Sequence, residues 1–302
     1  MRFVATLIGP AADTLTGTLL AGAGQALKTL GADAAGPEWL AEGEAADLAF
    51  DDLDPDQADA AIRQALGDAQ IDCITQVAEN RRKKLLVADM ESTIIEQEML
   101  DEVAALKGIK AEIAAITARA MNGEIDFADA LRERVALLAG LSEDNILAMA
   151  QRITLTPGAT ELVRTMRRNG ARTLLVSGGF TMFADLVAAA LGFDQVSANA
   201  LEFSGPPGAR MLTGQVVPPI RDRSDKLDQL TRQAGRHHIQ MSETMAVGDG
   251  ANDVPMLLAA GLGIAFHAKP SVRETVRARV DHAGLKALLY AQGYKTEEIT
   301  AS

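Results

Sequence analysis

The sequence is short of several things, and each shortage excludes something. Cys73 is the only cysteine among 302 residues, so no intramolecular disulfide can form and a reducing compartment fits best. The histidines His237, His238, His267 and His282 show no ligand spacing, which argues against a zinc site. Aromatics make up 4% against 48% hydrophobic residues. The core must therefore be built from Ala, Leu, Val, Ile and Met, a bias that suits helices packed on a parallel sheet. No apolar run approaches the roughly 20 residues of a membrane span. The opening run from Met1 to Gly9 is cut by Pro10 and Asp13 and shows no cleavage pattern. A soluble, cytoplasmic protein with no membrane partner is expected. Positive charge is scarce too: 29 basic residues face 41 acidic ones, a formal net charge of −12. Such a surface would repel nucleic acid. The one basic cluster, Arg81-Arg82-Lys83-Lys84, is short and reads as a solvated linker near a domain boundary.

The length allows two domains. Residues 1–80 read as strand (Phe3 to Ile8), helix (Asp13 to Leu30), two short strands (near Glu38 to Leu40 and Ala46 to Phe50), helix and strand (Ile71 to Val77). The second helix is opened by Asp54 as cap and Pro55 at its first position. Strand-helix-strand-strand-helix-strand is the split βαβ order of ferredoxin-like modules. By element order it resembles the ACT family of amino-acid-sensing domains. Sensing is one expectation; packing or dimerisation without a ligand is the other, so a homodimer is allowed for.

Residues 81–302 centre on Lys84-Leu85-Leu86-Val87-Ala88-Asp89-Met90-Glu91-Ser92-Thr93. A short apolar run ending abruptly in acids and hydroxyls suits a strand buried on both faces of a parallel sheet, whose carboxyl end is where such sheets place chemistry. From about residue 97 to 152 the pattern is helical, with Met99, Leu100, Val103 and Leu106 and later Ile113, Ile116 and Ala120 at helical spacing. Helices from Phe127 to Leu138 and from Ser142 follow. Four helices between two strands read as an inserted cap that covers a site. Strand and helix then alternate to the end, with strands ending at Ser177-Gly178-Gly179 and at Gly248-Asp249-Gly250-Ala251-Asn252-Asp253. Further strands are expected near Val196 and from Gly263 to Phe266, and a hairpin arm around Gly205-Pro206-Pro207-Gly208. The fold class is α/β, a doubly wound, mostly parallel sheet with a helical cap and an N-terminal α+β domain. His267 is expected to be structural and Trp39 to lie in the core.

Acids, a hydroxyl, glycine amides and Lys226 thus gather at one sheet edge, which is what phosphoryl transfer needs. Acids can hold Mg²⁺ through oxygen, while amides and lysine stabilise phosphoryl oxygens. In four motifs the chain resembles the haloacid dehalogenase superfamily and its phosphoserine phosphatase branch. Asp89-Met90-Glu91-Ser92-Thr93 matches Asp-x-Asp-x-Thr except at the second acid. Ser177-Gly178-Gly179, Lys226 and Gly248 to Asp253 match the other three, in order, over roughly residues 83–290.

The resemblance implies a Mg²⁺-dependent phosphatase that acts on O-phospho-L-serine, a small-molecule substrate, in the last step of serine synthesis. Asp89 is then the nucleophile that forms an aspartyl-phosphate, and Glu91 the general acid and base. Asp89, Asp249 and the backbone carbonyl of Glu91 hold the metal. Ser177, the Gly178 amide and Lys226 take the phosphate. Asn252 and Asp253 stand close by, Asn252 among the substrate-binding residues and Asp253 orienting Lys226. Gly179 is expected to serve backbone geometry. In the cap, Glu98 is placed on the substrate ammonium and Arg134 on its carboxylate, with Met121 and Phe127 walling the pocket. The departure at Glu91 puts the acid/base step in question. Two further readings follow: another small phosphomonoester as substrate, or a serine-sensing protein impaired at Glu91.

Overall fold

The chain in its computed structural model is described over residues 1–121, without the Met121 side chain, and 124–300. Its first part comprises β1 (Phe3–Ile8), α1 (Gly17–Thr29), β2 (Asp33–Ala34), β3 (Glu38–Ala41), β4 (Ala45–Asp51), α2 (Pro55–Leu66) and β5 (Asp72–Val77). The sheet runs β2-β4-β1-β5 with β3 also on β4, and β1 is antiparallel to both its neighbours. This is the ferredoxin-like arrangement. Strand alternation gives the sheet two apolar faces. Ala5, Leu7, Phe50 and Cys73 pack against Leu20, Leu27 and Ile62 of the helices, whereas Ile8 and Ile74 join the core of the second part. Trp39 is only half-buried and packs at the rim of that first core. Helix α1 starts four residues later than the sequence suggests. Asp13 takes a left-handed φ of 63°, and Thr16 supplies the cap by accepting from the Leu19 N–H. Asp54 caps α2 with Pro55 behind it.

The second part runs β6 (Leu85–Asp89), α3 (Met99–Lys107), α4 (Lys110–Met121), α5 (Phe127–Leu137), α6 (Glu143–Ala148), α7 (Ala159–Arg168), β7 (Arg172–Phe180), α8 (Thr181–Leu191), β8 (Gln195–Ser204) and β9 (Met211–Val217). It continues with α9 (Arg223–Arg236), β10 (Thr244–Gly248), α10 (Val254–Ala259), β11 (Leu262–Phe266), α11 (Pro270–Thr275), β12 (Arg279–Val280) and α12 (Ala287–Ala291). Its sheet is ordered β12-β11-β10-β6-β7-β8-β9, parallel except for β9. β6 lies mid-sheet and is covered on both sides: Leu86 and Ala88 face one core, Leu85 and Val87 the other.

Three elements differ from the sequence reading. Helix α7 was not anticipated, although Leu162, Val163 and Met166 repeat at helical spacing and are buried. The strand near Val196 and the first half of the hairpin arm are one strand, β8, carried across a register shift between Leu201 and Phe203. β12 adds a further edge strand beyond β11. Among the described residues no helix is long and apolar enough to cross a membrane.

The basic cluster is only half solvated: Arg82 and Lys84 are exposed, but Arg81 and Lys83 turn inward. Arg81 donates to both Asp47 carboxylate oxygens at 2.6 and 3.0 Å, to Thr6 Oγ1 at 3.1 Å, and to the carbonyls of Tyr290 and Ala291 at 3.2 Å. Lys83, 7% exposed, donates to the carbonyls of Asn80 and Ser242. The ends of α12 and the first sheet leave carbonyls and a carboxylate that water cannot reach, and long cations satisfy them. Asp72 does the converse job, accepting from the N–H groups of Asp281, His282 and Ala283. Gln76 adds a bond to the Ala291 carbonyl.

The chain enters and leaves α3–α6 side by side. Glu96 N–H donates to the Thr154 carbonyl and Thr156 N–H to that of Ile94. Behind, Gly140 and Leu212 join α5 to the β8–β9 arm, and Gly214 lets β9 approach α5 so closely that a Cβ would lie 3.0 Å from Ala139.

Candidate active site

Parallel pairing of β10, β6 and β7 fixes which residues meet. Ala88 is opposite Val247 and Asp89 opposite Val176, so Asp89 ends its strand beside Gly248-Asp249 on one side and Ser177 on the other. After β6 the chain turns sharply through Ser92, whose φ is 54°, and the N–H groups of Thr93, Ile94 and Ile95 converge on the Met90 carbonyl. A non-glycine residue in that region costs on the order of 1 kcal/mol or more, and here it turns Glu91 back over the sheet edge.

Lys226 comes in from α9, whose first turn is capped by Asp222. Its Nζ lies 2.7 Å from Asp89 Oδ1 and 2.6 Å from Asp253 Oδ1, and all three side chains are buried. Asp253 is fully engaged, since its Oδ2 accepts from the Gly250 N–H at 2.9 Å. A Cβ on Gly248 would fall 2.4 Å from the Asp253 carboxyl carbon, so only glycine fits there. Carboxylate oxygens of Asp89, Asp249 and Asp253 lie within 4.8 Å of one another.

Burial dominates the electrostatics. It raises Asp89 well above the ordinary carboxylate range, with the Asp253 charge adding to it and Lys226 opposing it. Asp249 is pushed up to about 6, first by burial, against the pull of Lys269 at 3.7 Å. Burial alone would lower Lys226, but Asp89 and Asp253 outweigh it and keep the ammonium charged. Carboxylates outnumber this lysine in a site closed to water, the environment in which a divalent cation with oxygen ligands is most strongly held.

Glu91 lies above this cluster. Burial, then the charge of Glu98, pushes its carboxyl up to about 7, while the Met99 N–H, Lys226 and Arg134 pull it down. Its Oε1 accepts from Met99 N–H at 2.8 Å, which caps α3 where the Glu98 side chain does not. Glu98 itself is exposed and accepts from Ser92 Oγ at 2.8 Å. Arg134, half-buried on α5, donates only to the Ala130 carbonyl and Thr117 Oγ1 among the described residues. Ser177 Oγ accepts from the Gly179 N–H, and Phe127 stands over Gly178, its Cζ 3.3 Å from where a Cβ would be. Asn252 is exposed at the rim. The Met121 side chain lies outside the described residues.

A profile of the haloacid dehalogenase-like hydrolases matches residues 86–258. The chain belongs to this family. It is 42% identical over 244 residues to a probable phosphoserine phosphatase of Schizosaccharomyces pombe, covering 80% of this chain and 81% of that one. A crystal structure of a probable phosphoserine phosphatase from Vibrio cholerae superposes with a TM-score of 0.77 at 30% identity, over 98% of this chain and 88% of the other. A structure of a phospho-aspartyl intermediate analogue of phosphoserine phosphatase superposes at 0.62 with 36% identity, over 69% of this chain and 98% of that one.

Sequence reasoning missed three contributors in this hydrolase. Asn199 on β8 donates to the carbonyls of Gly178 and Arg221 and accepts from the Arg221 N–H, tying the Ser-Gly-Gly loop to the start of α9. Its signal was an amide in the middle of a strand. Met99 contributes only its backbone, and no side-chain pattern could have shown that. Gly179 was assigned to backbone geometry, yet its φ is not left-handed. Instead, the space a Cβ would take is filled by the Glu91 carboxyl.

Proposed function

We propose that this protein hydrolyses O-phospho-L-serine to L-serine and phosphate with Mg²⁺, through a phosphorylated Asp89. The observation that carries the reading is the buried Asp89–Lys226–Asp253 cluster beside Asp249, at the ends of β6 and β10. Asp89 Oδ1 is engaged by Lys226 and the Met90 N–H, which leaves Oδ2 as the nucleophilic oxygen. Lys226 neutralises phosphoryl charge, and Ser177 with the Gly178 amide borders the same space. Glu91, near 7, can give a proton to the departing serine hydroxyl and take one from the water that attacks the phosphorylated Asp89.

The donor set fits Mg²⁺: hard oxygens, too many negative charges, and little solvent. Asp89, Asp249 and the backbone carbonyl of Glu91 would hold it. Asp253 would stand behind them, because both its oxygens already serve Lys226 and Gly250. When bound, the cation offsets the charge that accumulates on the phosphoryl oxygens.

The names of the relatives favour phosphoserine, and so does the cap. Arg134 and Glu98 offer a cation and an anion to a zwitterionic substrate, under the wall made by Phe127. The N-terminal sheet, ACT-like in element order, would form a separate unit joined to residues 81–302, with α3–α6 as the cap. The test is phosphate release from O-phospho-L-serine with Mg²⁺ and with EDTA, beside phosphothreonine and p-nitrophenyl phosphate. Metal-dependent release that favours phosphoserine is expected. Release from p-nitrophenyl phosphate alone would remove the substrate assignment, and silence on all three would remove the activity.

A further inference from the structure

We propose that Gly179 is a positioning residue for the Glu91 carboxyl, acting by the absence of its Cβ; this rests on the acid/base role given to Glu91 above. A glycine needs a reason to sit in a buried strand end, where it costs about 0.5–1 kcal/mol relative to alanine. Backbone freedom is not the reason, because Gly179 is absent from the residues with positive φ. The nearest atoms to a Cβ built there are Glu91 Oε2 at 2.7 Å and Glu91 Cδ and Oε1 at 3.0 Å. All three belong to one carboxyl group. Met99 N–H holds the same group from α3, at 2.8 Å from Oε1. The carboxyl is thus held between the first cap helix and the Ser-Gly-Gly loop, against the bare Cα of Gly179. Its neighbour differs: a Cβ on Gly178 would meet the Phe127 ring, not a polar group.

A methyl group at 179 would press on the free end of a side chain, not on backbone. The fold can absorb that by letting Glu91 swing away, and the cost then falls on proton transfer. An aspartate at position 91 would draw the carboxyl back by about 1.5 Å, one C–C bond, and relieve the contact. The experiment is a double-mutant cycle with Gly179→Ala and Glu91→Asp in the full chain, read by steady-state kinetics on O-phospho-L-serine and by thermal unfolding. G179A is expected to lower kcat by about 10²-fold or more, within the range of a lost acid/base group, with KM changed less than about threefold. In the E91D background the same substitution should cost at most about a tenth of that factor. The loss in Tm from G179A should likewise be larger with glutamate at 91, by about 2 °C or more. Equal losses in both backgrounds, or a KM that rises as far as kcat falls, would overturn the proposal. A wild-type protein that releases no phosphate would remove the catalytic meaning along with the proposed function, while the unfolding cycle would still report whether the two residues touch.

Discussion

Arg81 and Lys226 are both drawn into this molecule, and they are balanced differently. Arg81 sits between the first sheet and α12 with one carboxylate, Asp47, on both of whose oxygens it donates, and with neutral acceptors for its remaining N–H groups. Charge is matched and every partner has a counterpart. Lys226 sits at the end of the second sheet between Asp89 and Asp253, with Asp249 close by. There negative charge is in excess, and burial pushes Asp89 and Asp249 up. A satisfied buried pair holds parts together, and removing one partner leaves an uncompensated charge. An unsatisfied cluster stores its imbalance for something absent from the chain, here proposed to be a metal ion and a phosphoryl group. The comparison predicts opposite responses to substitution.

Asp89→Asn should have the largest effect on activity. Removing the nucleophile is expected to lower kcat on O-phospho-L-serine by about 10⁴-fold or more. The metal-free variant should nevertheless melt no lower than the wild type, because an amide removes one buried negative charge and leaves Lys226 its pair with Asp253. Loss of activity with unchanged or raised Tm is the trade expected where function keeps a site strained. A residual rate within tenfold of wild type would break the assignment of Asp89, and a fall in Tm would break the contrast with Arg81.

Arg81→Ala should do the reverse. It leaves the buried Asp47 carboxylate without its cation, although Thr6, Gly293 and Gln76 still serve Asp47 and the two carbonyls, at a cost of about 2–4 kcal/mol, or about 5–15 °C in Tm for a chain of this size. Below the transition, kcat and KM should stay at wild-type values, since Arg81 touches nothing in the site. An Arg81→Met, Asp47→Asn double variant should recover part of the loss, because both charges go together. If Arg81→Ala instead lowers kcat in the intact protein, the interface is coupled to the site and the two centres are not independent.

The same contrast marks what could be read from the sequence. Strand ends were legible because an apolar run stopping at Asp89, Ser177 or Asp249 is a local pattern, and the spacing of parallel strands brings local patterns together. The split βαβ order was legible for the same reason. Arg81 was not: its acceptors Asp47, Tyr290 and Ala291 are 34, 209 and 210 positions away, and a run of four basic residues looks the same whether solvated or buried. Gly179 was not, because the atom that matters is one it lacks. Helix α7 carries the helical pattern in Leu162, Val163 and Met166, but it is only 10 residues long.

Arg134 is a third case that sharpens the comparison. Its guanidinium is half-buried like that of Arg81, yet it pairs with no carboxylate within ion-pair distance among the described residues. Burial lowers it, and the charges of Glu91, Asp101 and Glu98 nearby only partly offset this. A buried guanidinium with neutral partners has donors to spare, and a carboxylate gripped by two parallel bonds would use them. Arg134→Ala should therefore barely move Tm, unlike Arg81→Ala, because no buried anion is orphaned. It should raise KM for O-phospho-L-serine by about 10–100-fold, the worth of one charge-assisted contact at about 1.5–3 kcal/mol, with kcat within about threefold. Turnover of p-nitrophenyl phosphate, which carries no carboxylate, should change little. If KM rises equally for both substrates, Arg134 serves the phosphate or the cap, and the carboxylate must be recognised elsewhere.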